Sequence, residues 1–200
     1  SNITEEQYNT IIDSAYEKYR GLAESHGAQL KINKLWTNST VNANATRVGG
    51  RWSVNMYGGL ARRKEITPDG FAMVVCHELG HHFGGYAYHG NFTWASAEGQ
   101  SDYYATQTCA RYIWKDDFEE NAKYQATAEP DVKEKCDSIW SSGHDRNLCY
   151  RTSEASKSLA TLLSALHDGP PPEFNTPDPN KVRNTQPKHP RAQCRLDTYF

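Results

Sequence analysis

The chain reads as an α+β fold: a small, mostly antiparallel sheet beside one central helix, with further helices after it. Three observations predict this. Residues 4–25 open with a capping box and repeat apolar residues at helical spacing. Residues 30–57 break into short runs punctuated by Gly49-Gly50 and Gly58-Gly59. From Thr67 onward an apolar run leads into Cys76-His77-Glu78-Leu79-Gly80-His81-His82, and helix-period segments dominate the remainder of the chain.

Thr4 is the expected N-cap of the first helix, with Gln7 three residues on. Ile11, Ile12, Ala15, Tyr16, Tyr19 and Leu22 mark its apolar face, and Gly27 stops it. In the sheet region Leu30-Lys31-Ile32-Asn33 alternates, residues 41–48 form a second run, and Arg51–Tyr57 a third, with a turn at Gly49-Gly50. One strand is expected along the edge of a cleft, where an extended peptide can add by main-chain hydrogen bonds. Thr67 and Pro68 open the central helix and Gly84-Gly85 closes it. After a loop rich in Gly, Tyr and His, a second helix is expected to begin between Trp94 and Ala97. It runs through Glu98, Asp102, Ala105 and Cys109 to about Trp114. Further helices are expected at 131–141 and 152–167. Seven of the nine prolines lie beyond Asp168, yet Cys194, Arg195, Leu196 and Tyr199 indicate that this tail turns back and docks.

Two hundred residues suit one domain with a real core. Its expected parts are an N-terminal helix and sheet (1–66), a central pair of helices (67–115), a helical disulfide-braced region (116–167) and a Pro-rich segment (168–200). Formal net charge is −2 and the pI is about 6.4, so no nucleic-acid partner is expected. Mean hydropathy is −0.82 with 12% aromatic residues, which describes a polar surface around an aromatic-rich core. No apolar run approaches the roughly 20 residues that span a bilayer. The chain opens Ser1-Asn2-Ile3 without an initiator Met, consistent with a removed leader and leaving room for a lipid anchor. Asn2, Asn38, Asn44 and Asn91 each begin a glycosylation pattern, relevant only in a glycosylating host.

Of five cysteines, Cys76 sits inside the apolar helix and is expected to be a buried free thiol. Cys109, Cys136, Cys149 and Cys194 remain, with three ways to pair. None forms a C-x-x-C pair, which argues against a cysteine-type zinc site. Two disulfides point to an exported protein, periplasmic or secreted.

His77-Glu78-x-x-His81 carries the chemistry. Residues four apart on a helix share a face, so His77 and His81 can present their rings to one metal ion. Glu78 projects beside them, within reach of a water proton. An open zinc site needs a third protein ligand, and Glu98 on the next helix is the best candidate. Asp102, one turn beyond, can accept the free ring N–H of His77 and fix its orientation. The bland alternative is a metal-free helical domain with a solvent-facing acidic pair.

H-E-L-G-H followed by E-x-x-x-D resembles the gluzincin metallopeptidases, and among them the CAAX-prenyl-protease and HtpX-like endopeptidases. Asn42-Ala43-Asn44-Ala45, Gly49-Gly50 and Gly58-Gly59-Leu60 resemble that family's edge-strand region. His189-Pro190-Arg191-Ala192-Gln193-Cys194-Arg195 is similar to its C-terminal H-P-x-x-x-x-R element. The resemblance covers roughly residues 41–105 and the last dozen. It implies a zincin-like fold and a zinc-dependent endopeptidase acting on peptides or proteins. It implies one zinc ion on His77, His81 and Glu98, with Glu78 as general base. His189 would stabilise the oxyanion, and Arg195 would brace the site against Asp102 or Glu98. If Arg195 reaches Asp102, Cys194 comes near Cys109, which favours Cys109–Cys194 and leaves Cys136–Cys149.

The chain also departs from that family. The excursion from His81 to Glu98 is short, the family's membrane spans are missing, and residues 110–188 have no counterpart. A metzincin-like reading fits Gly84 but fails at the next ligand, where Ala87 stands and His89 comes two residues late. His82 and His89 are therefore expected at the cleft rim or in structural roles. A rival of a different class is a zincin-fold binding module or latent protease that holds zinc without turnover.

Overall fold

The computed structural model describes residues 3–185 and 188–200, so the Asn2 pattern lies outside the described residues. Helix α1 (Glu5–Ser25) starts at the capping box: Gln7 N–H donates to Thr4 Oγ1 at 3.1 Å and Thr4 N–H to Gln7 Oε1 at 3.0 Å. Its buried face, Tyr8, Ile12, Ala15, Tyr19 and Ala23, steps by three and four residues. That face packs on strand β1 (Gln29–Leu35) and on the central helix α3 (Pro68–Phe83).

Strands β2 (Ala43–Val48) and β3 (Arg51–Tyr57) form a hairpin at Gly49-Gly50, with Gly49 at φ +58°. β1 lies on the other edge of β3 and runs parallel to it, giving the order β1-β3-β2. The sheet is thus mixed rather than mostly antiparallel. The chain reverses twice between β1 and β3, and the hairpin leaves only the far edge of β3 free. Gly58-Gly59, which ends the third strand, opens a short helix, α2 (Gly58–Ala61). It presses on the 36–40 backbone: a Cβ on Gly58 would stand 1.8 Å from the Trp36 carbonyl oxygen, and one on Gly59 2.1 Å from that of Ser39.

Gly70 N–H donates to the Thr67 hydroxyl at 3.0 Å and Pro68 takes the first position of α3. Every residue from Gly70 to Gly80 is buried, as in a helix surrounded on all sides. Helix α4 (Glu98–Tyr104) starts later than expected, because Ala97 is extended (ψ 157°) and Trp94–Ala97 belongs to the loop. It continues through a π-helical segment (Ala105–Ala110) into α5 (Arg111–Trp114). Helix α6 (Phe118–Thr127) was not expected, α7 (Pro130–Ile139) was, and α8 (Gly143–Ala165) begins well before residue 152. The Pro-rich tail returns as α9 (Ala192–Tyr199), which buries Arg195, Leu196 and Tyr199.

The main core gathers around α1, the sheet and α3, and a smaller one joins Val132, Cys136, Tyr150, Phe174 and Leu196. Buried Arg151 ties α8 to the start of α3 by two bonds to Asp69, at 2.8 and 2.9 Å.

The disulfides correct the expected pairing. Cys76 is not free but bonded to Cys109, and Cys194 is the free thiol; Cys136 pairs with Cys149. Successive helical residues point about 100° apart. With Arg195 turned inward, Cys194 is turned aside, while α3 packs directly on the π-helical segment and brings Cys76 to Cys109. Among the described residues no helix is long and apolar enough to cross a membrane.

Candidate metal centre

The site forms where α3 crosses the start of α4. Their close approach depends on Gly80, where a Cβ would meet the Ser101 carbonyl oxygen at 2.9 Å and its Cα at 3.0 Å. On α3, His77, Glu78 and His81 bring their ligand-type atoms within 4.8 Å of one another, a buried cluster able to hold a metal ion. Glu98 faces the same space. Its Oε2 lies 3.1 Å from His77 Nε2 and its Oε1 3.7 Å from His81 Nε2.

The far side of each ring is pinned. His77 Nδ1 stands 2.8 Å from Asp102 Oδ1. His81 Nδ1 stands 2.7 Å from the Ser96 carbonyl oxygen and 3.0 Å from Ser101 Oγ. With each Nδ1 carrying the proton toward its acceptor, both Nε2 lone pairs point inward at a carboxylate. Glu98 Oε2 is buried and makes no hydrogen bond, although His77 and His189 both lie within ion-pair distance. Three electron-rich groups around one point repel unless a cation sits among them. The donor set, two imidazoles and a carboxylate, suits zinc.

The charge states agree. Burial alone would lower the His77 pKa, but Asp102 and Glu98 together push it up to about 10, so without a metal a proton does the cation's work. Burial and the neighbouring His77 hold His81 down at about 4. Burial would raise Glu98, yet His189, His77 and His81 hold it well below the usual carboxylate range. Burial pushes Glu78 up to about 7, a base poised near neutrality.

Asp102 is itself fully buried. Arg195 grips it from α9 with two bonds, Nε to Oδ2 at 2.8 Å and Nη2 to Oδ1 at 2.6 Å. Tyr199 donates to Oδ1 at 2.7 Å. Burial would raise the Asp102 pKa, but Arg195 and then His77 hold it down. His189 places Nδ1 3.2 Å from Glu98 Oε2 while its side chain stays 71% exposed, so it borders the site from the solvent side. Arg195 Nη2 also comes within 3.9 Å of that oxygen.

The six residues expected at the site from the helical motifs and the tail therefore meet in space, and His189 stands at its edge. The structure adds Ser96, Ser101 and Tyr199. Tyr199 follows Arg195 by four residues, one helical turn, and that spacing could have revealed it. His82 points away: its ring is stacked between Trp52 and Trp94, donates to the Ser53 carbonyl at 3.0 Å and accepts from Arg47 Nε at 3.2 Å. It fastens α3 to β3 and to the loop before α4. Comparison of this chain with protein-family models, with curated proteins and with solved structures finds no match.

Proposed function

We propose that the protein is a zinc-dependent endopeptidase. The observation that carries the reading is the inward convergence of His77 Nε2, His81 Nε2 and the Glu98 carboxylate, with both rings pinned from behind. Zinc held there supplies Lewis acidity, which polarises a scissile carbonyl and makes water a nucleophile at neutral pH. The protein's own groups do the rest. Glu78 takes the proton of the attacking water and passes it to the leaving amine. His189, at the solvent edge, donates to the carbonyl oxygen as negative charge grows on it. Arg195 and Tyr199 hold Asp102, and Asp102 holds His77. The likeness to the gluzincin family, within it the CAAX-prenyl-protease and HtpX-like group, and a zincin-like fold belong to the same proposal. So does an exported location, which the two disulfides support.

One observation favours the rival reading of a latent or non-catalytic zinc site: Glu78 is only 6% exposed. Peptide-library cleavage read by mass spectrometry separates the two. The zinc-loaded wild type is expected to cleave, and zinc-loaded Glu78→Gln to be slower by about 100-fold or more with its zinc retained. Zinc bound by both proteins without cleavage by either would select the non-catalytic reading.

A further inference from the structure

Beside the metal centre lies a cavity of about 790 Å³ that the proposed hydrolysis does not use. His189 and Arg195, which stand 3.2 and 3.9 Å from Glu98 Oε2, belong to its wall, so it adjoins the site. Leu163 and Leu166, from the end of α8, face Pro177 and Pro179 of the tail and Pro190 and Ala192 before and in α9. We propose that this cavity is a substrate subsite that takes a short apolar stretch of polypeptide.

The wall is built in advance, as binding pockets usually are. The tail segment opposite α8 is rich in proline, yet it is fastened at both ends. Glu173 N–H donates to Gln193 Oε1 at 2.9 Å, and Gln193 Nε2 returns a bond to the Glu173 carbonyl at 2.8 Å. Asp178 N–H donates to Asp197 Oδ2 at 2.7 Å. Ser164 Oγ donates to the Pro170 carbonyl at 2.6 Å, and Phe174 packs on Phe200 with ring centroids 4.6 Å apart. These contacts set proline faces across from leucine side chains and leave the space between them open.

The surroundings of the space identify its occupant. A cavity of this size exceeds one side chain and suits a few residues of chain. Asn42, which also lines it, directly precedes β2, an edge strand of the sheet. An extended chain can thus pair its backbone with β2 and lay side chains in the cavity. Of the charged residues lining it, Asp178 and Arg191 have opposite signs and Arg195 is already paired with Asp102, so neither an acidic nor a basic stretch is favoured over an apolar one.

This inference takes its orientation from the peptidase reading but is tested separately. Three fluorescein-labelled peptides of equal length are compared, centred on Leu-Phe-Leu, Ser-Gly-Ser and Asp-Ser-Asp. Binding to the zinc-loaded full chain carrying Glu78→Gln is measured by anisotropy. The Leu-Phe-Leu peptide is expected to bind about tenfold tighter than the others. Leu166→Glu and Thr176→Trp, both at exposed positions of the wall, are each expected to abolish that advantage while zinc content and thermal midpoint stay unchanged. Equal affinity for the three peptides, no binding by any, or a preference that neither substitution weakens would overturn the proposal. Selective binding without wild-type cleavage would keep the subsite and remove the peptidase reading. Cleavage without apolar preference would do the reverse.

Discussion

Asp102 shows how far the site reaches behind its ligands. It is a fully buried carboxylate whose charge is met by Arg195, His77 and Tyr199. Removing a group that orients a metal-binding histidine typically weakens the metal about 10- to 100-fold. Asp102→Asn is expected in that range. Tyr199→Phe, one bond further out, is expected near its lower end, about tenfold, with the fold intact by circular dichroism; chelator competition measures both. The raised pKa of His77 gives a pH signature of defined sign. The folded, metal-free protein keeps a proton on His77 up to about pH 10, whereas an unfolded histidine loses it near 6.5. The resulting stability is fully present below pH 6.5 and fades as pH rises toward 10. Over the same interval zinc must displace that proton, so apparent zinc affinity is expected to rise by up to about tenfold per pH unit. Titrating zinc and urea midpoints across this range checks the two slopes together; flat profiles for both would count against a charged His77. At this scale much was legible, because His77, Glu78, His81, Glu98 and Asp102 lie on helices whose spacing fixes their faces. Ser96 was not, since it acts through a backbone carbonyl that any residue could supply.

The helix pair at the candidate metal centre depends on a glycine. Alanine at an ordinary helical glycine gains up to about 1 kcal/mol. At Gly80 the added methyl would press into the Ser101 backbone, so Gly80→Ala is expected to lose about 1–3 kcal/mol instead. Because Ser101 touches His81 and Glu98 starts the same helix, zinc affinity should fall with it. Urea unfolding and zinc competition on one variant read both effects; a stabilised Gly80→Ala would show that α4 has room to move. Elements with caps were readable from sequence, as at Thr4 and Thr67. The first turns of α8, residues 143–151, were not, because their buried positions are only Leu148, Tyr150 and Arg151, and Arg151 is a charged residue satisfied by distant Asp69. An apolar period cannot report a face of that kind. The parallel pairing of β1 was equally hidden, since it depends on which edge of β3 the hairpin leaves free.

Across the whole molecule, two disulfides act at different depths. Cys76–Cys109 closes 33 residues and joins α3 to the π-helical segment, while Cys136–Cys149 closes 13 and joins α7 to α8. The chain-entropy relation gives about 4 and about 3 kcal/mol respectively. Cys76→Ala with Cys109→Ala is therefore expected to lower the urea midpoint more than Cys136→Ala with Cys149→Ala. It should also weaken zinc binding, since Cys76 adjoins His77. Equal losses in stability with unchanged zinc affinity would place the first bond outside the site's support. The pairing was not legible in sequence: an apolar helix can bury a thiol or a disulfide equally well, and only the packing of α3 on the π-helical segment distinguishes them.

The grip of α9 on Asp102 also bears on the order in which the molecule assembles. Arg195 is 93 positions from Asp102 and 118 from His77, so these contacts close some of the longest loops in the chain. α3 and α4 are near neighbours in sequence and can meet much earlier. Until α9 arrives, Asp102 keeps His77 as its partner but lacks the bonds from Arg195 and Tyr199, so its remaining oxygen must stay hydrated. Docking of α9 therefore coincides with the drying of the site. A nearly folded intermediate would hold its helices in place with the metal centre still wet and slack.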